Sequence, residues 1–249
     1  MVNMPSPSSH TPKRAVVFVL EKVLLPSSSS KKTISMIRNW LVSLREYSLS
    51  HPNFEYFVAS SYPQSRCLEM VKEAELDVFF PPANVWGVTQ SYLDSMSPID
   101  KERYAKRCAQ EKECTDDYCR QTQLMAYIEK KGLLPSDVVL VGHDYWFDGF
   151  YTRRFSNVDV AFVESELTSR NHPQKEKISG LWYISRSWKE LRSIIEGNKA
   201  KPDYTKLESW VNITLTEALF GGKGFPLLKK VVIQRKKQDE AGAGPSMVE

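Results

Sequence analysis

The apolar positions of this chain fall into short unbroken runs separated by stretches with helical spacing. Ala15 to Leu20 (AVVFVL) is a continuous apolar, β-branched run, the pattern of a strand covered on both faces of a parallel sheet. Pro26 and the serines at 27–30 end it. In KKTISMIRNWLVSLREY, Ile34, Ile37, Leu41 and Leu44 share one helical face, with Trp40 beside them. FEYFVAS, 54–60, predicts a second strand, and the segment from about Pro63 to Glu75 a helix with Leu68, Val71 and Ala74 inward. Pro81-Pro82 interrupts the pattern. Val85 to Val88 predicts a short strand, and Ile99 to about Lys112 an exposed charged helix. Tyr118 to Lys131 reads as a helix with Leu124, Met125, Tyr127 and Ile128 on its apolar side, ended by Gly132 in the left-handed position.

Val138 to Val141 is a third buried strand ending at Gly142, and 158–163 and 181–185 are two more. Helical spacing returns at Trp188 to Glu196 and at Asp203 to Phe220. Strands alternating with helices at these intervals predict an α/β fold, a Rossmann-like parallel sheet with helices on both faces. One domain over 14–228 is expected, between a disordered arm, 1–13, and a basic disordered tail, 229–249.

Composition narrows the picture modestly. A hydrophobic share of 41% over 249 residues can fill a sizeable core, and a net charge of +4 is too small to argue a nucleic-acid partner by itself. No run is long and apolar enough to span a bilayer, and the start lacks a hydrophobic leader. No membrane partner is expected, and the location expected is intracellular, in the cytoplasm with the nucleus also open. The four cysteines, Cys67, Cys108, Cys114 and Cys119, are expected as free thiols. No histidine or paired knuckle spacing accompanies them, so zinc is not expected.

Candidate chemistry sits just past the strands, where parallel sheets bind ligands. Glu21 and Lys22 follow the first strand, Ser60 and Ser61 the second, and GHDYWFDG, 142–149, the third. Asp144 and Asp148 are two carboxylates four residues apart, a spacing able to hold a hard cation such as Mg²⁺ through oxygen. A hydroxyl with a lysine nearby can hold a phosphate. Each of these alone reads equally as a helix cap or a solvated side chain; their succession, one after each buried strand, is what singles them out.

In that succession the chain resembles the haloacid dehalogenase (HAD) superfamily of phosphatases and phosphotransferases. That family's first motif is an apolar strand followed by Asp-x-Asp-x-Thr or Val, and AVVFVLEKVLL runs in the same register. The resemblance puts Val19 at the nucleophile position, Glu21 at the general acid/base position and Val23 at the Thr/Val position. YFVAS ending in Ser60 resembles the second motif, Lys112 is the candidate for the third-motif lysine, and VVLVGHDYWFD resembles the fourth. It covers residues 14–196, and its segments between motifs are short, which implies a member with no large cap domain and an open site.

The departures bear on function. Valine has no lone pair to attack phosphorus, and loss of a covalent nucleophile costs about a millionfold in turnover elsewhere. Glu21 keeps the acid but lengthens it by a methylene, and His143 stands where the resemblance expects a metal-orienting Asp. The expectation is a HAD-like pseudoenzyme that binds a partner protein or a phosphorylated ligand through Ser60, Ser61, His143 and Asp144. Asp144 and Asp148 would then be a vestigial metal pair, with no cofactor needed and Mg²⁺ only if catalysis is retained. Two alternatives stand beside it. One is an active Mg²⁺-dependent phosphatase or phosphotransferase using Glu21, Asp144 or His143 as nucleophile. The other is a nucleic-acid-associated protein using the tail (Lys229, Lys230, Arg235, Lys236, Lys237) or the mixed segment Tyr151 to Phe155. Tyr145-Trp146-Phe147 either form an aromatic lip for a partner or close the core beneath the loop.

Overall fold

The structure is a computed structural model that describes residues 13–26, 31–110, 114–116, 118–163, 183–185, 187–199 and 202. All lie in the first of the two units into which the chain divides, Met1–Pro202. Among the described residues six strands form one parallel sheet: β1 (Ala15–Val19), β2 (Glu55–Pro63), β3 (Val85–Val88), β4 (Val138–Gly142), β5 (Asp159–Val163) and β6 (Tyr183–Ser185). Their order is β3-β2-β1-β4-β5-β6. Strand β1 is thus central, paired with β2 on one side and β4 on the other. The chain winds outward in both directions from it, and the crevice beyond its carboxyl end is where such sheets take ligands.

Register explains why the strands read as continuous apolar runs. Phe18 pairs with Val58 and Val17 with Phe57, so Phe18 and Phe57 project from opposite faces. Phe18 meets Trp40 of helix α1 (Lys31–Ser50) edge-on at 5.7 Å, and Trp40 packs at 4.8 Å on Trp188, which opens helix α7 (Trp188–Ile195). On the other face Phe57 meets Tyr127 of helix α5 (Cys119–Lys131) at 4.8 Å. Both faces are therefore covered, and every residue of β1 and β4 is buried. Helix α5 ends at Gly132, whose φ of 60° is the left-handed value.

Several expectations need correction. Strand β2 runs on to Pro63, so helix α2 is Gln64–Glu73. Its register with β3 shifts between Ala59 and Pro63, an irregularity over Ser60 and Ser61 that periodicity does not encode. Helix α3 (Gln90–Ser95) is an addition to the expected pattern; it precedes α4 (Pro98–Gln110), which has no buried residue and matches the exposed charged helix expected there, and both stand between β3 and α5. Residues Tyr145–Tyr151, expected as loop, form a π-helical turn leading into α6 (Thr152–Ser156). Met125 is half exposed rather than inward. Cys108 and Cys114 are bonded to each other, because the chain past α4 folds back to bring their Cα atoms to 4.5 Å; Cys67 and Cys119 are buried free thiols. Lys112, residues 181–182, the helix expected at 203–220 and the basic tail lie outside the described residues. No described helix is long and apolar enough to cross a membrane.

Lys13, placed in the arm by its sequence context, is anchored instead. Its backbone N–H donates to Ile195 O at 2.8 Å, and its ammonium bonds Ser136 O at 2.7 Å and the fully buried Asp159 carboxylate. Removing one member of a buried pair strands the other charge. Lys13→Ala is expected to lower unfolding free energy by about 3 kcal/mol in urea denaturation, with Arg153, 3.5 Å from Asp159, limiting the loss. A change under about 0.5 kcal/mol, the range of ordinary surface substitutions, would show that Lys13 is not part of the folded unit.

Candidate functional site

The loop after β1 is shaped by its apolar residues. Leu20 continues the ladder by donating to Ala59 O at 2.8 Å, and Leu24 and Leu25 donate back to Leu20 O at 3.2 and 3.0 Å. Leu20, Val23 and Leu24 are buried, and Lys22 takes a left-handed φ of 61° to close the turn. The turn carries Glu21 over the end of β2. Its Oε1 accepts from the Ser60 hydroxyl, from Ser61 N–H at 3.1 Å and from the Ser61 hydroxyl at 3.3 Å. Two consecutive strand residues ordinarily face opposite ways; the irregular end of β2 lets both reach one oxygen. Ser60 Oγ also accepts from Tyr62 N–H at 3.2 Å. Glu21 Oε2 is buried and makes no hydrogen bond among the described residues.

Val19, the last residue of β1, is fully buried beside Ala59. It is a core residue in this fold, and its side chain supplies no polar atom at the crevice.

Beyond β4 the centre of the arrangement is Asp148. It is wholly buried; Oδ1 accepts from Arg120 at 2.7 Å, and Oδ2 accepts from the N–H groups of His143 and Asp144, each at 2.9 Å. The His143 ring Nδ1 lies 3.2 Å from the same Oδ2. Burial pushes the carboxyl up, but the Arg120 guanidinium, the His143 ring and the backbone donors outweigh it and hold the group well below the ordinary carboxylate value. Gly142 makes the packing possible: a Cβ there would come within 2.9 Å of Asp148 Cγ. Asp144 does what strand-end aspartates commonly do, since its Oδ1 accepts from Phe147 N–H at 2.8 Å and caps the turn.

Glu21, Ser60 and Ser61 are thus brought together, and so are His143, Asp144 and Asp148, but as a loop held by its own hydrogen bonds. Among the described residues no cluster of three or more His, Cys, Asp or Glu side chains is placed to hold a metal ion. The residue that sequence reasoning missed is Arg120. It stands four residues before Leu124 on the buried side of α5, and both are buried. An arginine on an apolar helix face needs a buried acid, which is the signal that could have found it. The buried thiols are inert by position: burial, above all, pushes Cys67 up to about 11 and Cys119 up to about 12.

No family model matches the chain, and no curated protein matches it. Solved structures do. A haloacid dehalogenase-like hydrolase, YhjK of Bacillus subtilis, is 11% identical over 75% of this chain and 89% of its own, with a TM-score of 0.46. A haloacid dehalogenase-like family hydrolase from Streptococcus pneumoniae is 12% identical over 74% of this chain and 98% of its own, with a TM-score of 0.40. A phosphoserine phosphohydrolase-like protein from Francisella tularensis is 17% identical over 71% of this chain and 75% of its own, with a TM-score of 0.34. At such values it is the chain's own strand order and strand-end residues that carry the functional reading.

The buried pair yields a pH signature. A carboxyl held below its unfolded value of about 3.9 adds stability that is complete above that pH and is lost as pH falls toward the folded value. Asp148→Asn is expected to cost about 3 kcal/mol at neutral pH, and its deficit against wild type should shrink steadily below about pH 4. Parallel acid-unfolding curves for the two proteins would show that Asp148 is not the linked group.

Proposed function

We propose that this chain is a haloacid dehalogenase-like protein that has given up phosphoryl transfer and works by binding. Glu21 follows the central strand β1, Ser60 lies near the end of β2, and Asp144 and Asp148 follow β4, an arrangement that supports that ancestry. The observation that carries the loss of chemistry is how those groups are spent. Ser60, whose family role is to hold phosphoryl oxygen, gives its proton to Glu21 and accepts from Tyr62. The nucleophile position is Val19 in the core. A phosphate ester entering here would meet no attacking atom at the Val19 position and would have to break an existing network.

The residues present do not fit Mg²⁺. That ion needs near-octahedral oxygen ligation, typically from one or two carboxylates together with waters. Val19 offers no oxygen, Glu21 Oε1 already takes three donors, and Asp148 neutralises Arg120. Asp144 and Asp148 are read as capping and anchoring groups, and the expected cofactor is none. Among the described residues only α3 and α4 stand between β3 and α5, which supports an open crevice suited to a large ligand.

One observation favours a second reading, the active enzyme. Glu21 Oε2 is a buried carboxylate oxygen without a hydrogen-bond partner among the described residues. Such an atom could attack phosphorus, breaking the P–O ester bond and expelling the alcohol, to form an acyl phosphate that water hydrolyses to free phosphate and the Glu21 carboxylate. A broad panel of phosphate esters with Mg²⁺ separates the two. Wild type and Glu21→Gln are expected to give the same background rate. Turnover by wild type that Glu21→Gln loses by about a hundredfold or more, the scale of a removed catalytic group, would overturn the binding reading.

A further inference from the structure

The α3–α4 insertion is the largest feature that the strand-end motifs do not explain. Lined by α3, α4, Asp116 and Tyr118 is a cavity of about 790 Å³ whose walls include three tyrosines, Tyr92, Tyr104 and Tyr118, and three cations, Arg103, Lys106 and Arg107. Its floor is pinned to the sheet. Asp116, nearly fully buried, donates its N–H to Ser61 O at 2.7 Å, and its carboxylate accepts from Tyr92 OH at 3.1 Å and Tyr118 N–H at 2.9 Å. The acidic group in the wall is therefore turned into the protein. The other acid there, Asp100, sits 3.6 Å from Arg103 in an exposed pair, and among the described residues Lys106 pairs with exposed Glu102. Pairs of this kind are worth a few tenths of a kcal/mol and exchange readily for a phosphate.

Tyr118, in the cavity wall, also belongs to a row of rings. That ring stands edge-on to Phe147 and Tyr151, at 6.4 and 5.6 Å. Phe147 stacks on Tyr151 at 5.8 Å, and Tyr151 on Phe155 at 5.8 Å with the rings parallel. Tyr118 and Phe155, at the two ends of this row, are about half exposed. Aromatic faces along a line, beside cations on a neighbouring helix, are the combination that holds single-stranded nucleic acid: bases stack and phosphates pair with Arg and Lys. A mononucleotide would use one ring and one cation; the row continues well past the cations, so a strand is the better match.

We propose that this groove and aromatic row bind single-stranded nucleic acid, with Arg103, Lys106 and Arg107 on the phosphates and Tyr118 and Phe155 as exposed stacking platforms. The contribution of Tyr151 to Phe155 is then aromatic rather than basic, because Arg153 is engaged by Asn157 O at 2.6 Å and by Asp159. The inference names the ligand for the binding reading above but uses none of its site residues, so the two fail separately: one is read by turnover, the other by binding.

The test is fluorescence anisotropy of the full chain with labelled oligo-dT and oligo-U of about 12 nucleotides, at several salt concentrations. Wild type is expected to bind, with Tyr118→Ala and Phe155→Ala each about tenfold weaker, the effect of one lost stack. Arg103→Gln with Lys106→Gln, both on exposed side chains, should reduce the log–log salt slope by about 1.4, the value for two phosphate contacts on a single strand. Three outcomes would overturn the proposal. They are no binding at low salt, variants that bind as wild type does, and loss of all binding on neutralising only Lys229, Lys230 and Arg235 to Lys237.

Discussion

The buried pair of Arg120 and Asp148 holds the carboxyl edge of the sheet together. One partner stands on α5, on the face where Phe57 lies, and the other in the turn after β4. Taking two charges out of water is costly unless every remaining hydrogen-bonding position is met. Here the second oxygen of Asp148 collects two backbone donors, and those donors belong to His143 and Asp144. The pair therefore fixes the shape of the whole segment from Gly142 onward. Gly142 must lack a side chain, Asp144 is free to cap, and the π-helical turn is set on its course toward α6. A residue that resembles a metal ligand in sequence has become the keystone of a loop.

The same logic runs through the other half of the crevice. Glu21 is held by three donors from two adjacent serines, and Ser61 is held in turn by Asp116. In an active phosphoryl-transfer site such groups must stay poised for substrate oxygens, which leaves them poorly satisfied in the free protein. Here these groups turn to one another, and a hydrogen bond of this kind adds about 1 kcal/mol. Val19 fits the same trend, because an apolar side chain at a buried strand end is worth more to the fold than an unpaired carboxylate. The resemblance survives in the sequence because the scaffold needs residues of similar size and polarity at these points.

Much of the sheet was legible from the chain because buried parallel strands are apolar throughout, and AVVFV, VVLVG and DVAFV each announce one. What escaped was what depends on distant partners. The irregular end of β2 arises from its pairing with β3, not from its own pattern. Arg120 makes sense only beside an acid 28 residues on. Cys108 and Cys114 meet because the backbone folds back after α4, which no spacing rule foretells. Among the site residues, Glu21 and Ser60 were found by position after strands, and their mutual bond is a matter of three-dimensional register. The roles expected of Asp144 and Asp148 followed from residue type, whereas in the structure hydrogen-bond supply assigns those carboxylates their work.

One atom resists this account. Buried polar atoms in folded proteins are nearly always satisfied, and an exception calls for a reason. Glu21 Oε2 is such an exception, a carboxylate oxygen buried beside the crevice with no hydrogen-bond partner among the described residues. A carboxylate wholly committed to structure would place both oxygens against donors, as Asp148 does. Glu21 commits one and leaves the other facing inward without a hydrogen bond among the described residues. A donor from outside the fold, a water or a ligand's hydroxyl or amine, would satisfy it at once. Asp116 N–H donates to Ser61 O and Ser61 N–H donates to Glu21 Oε1, so two hydrogen bonds join the Glu21 carboxylate to the floor of the α4 groove. A ligand seated in the groove would press on the backbone that holds Glu21. Glu21 is thus tied to the groove through Ser61, while one of its oxygens lacks a donor among the described residues.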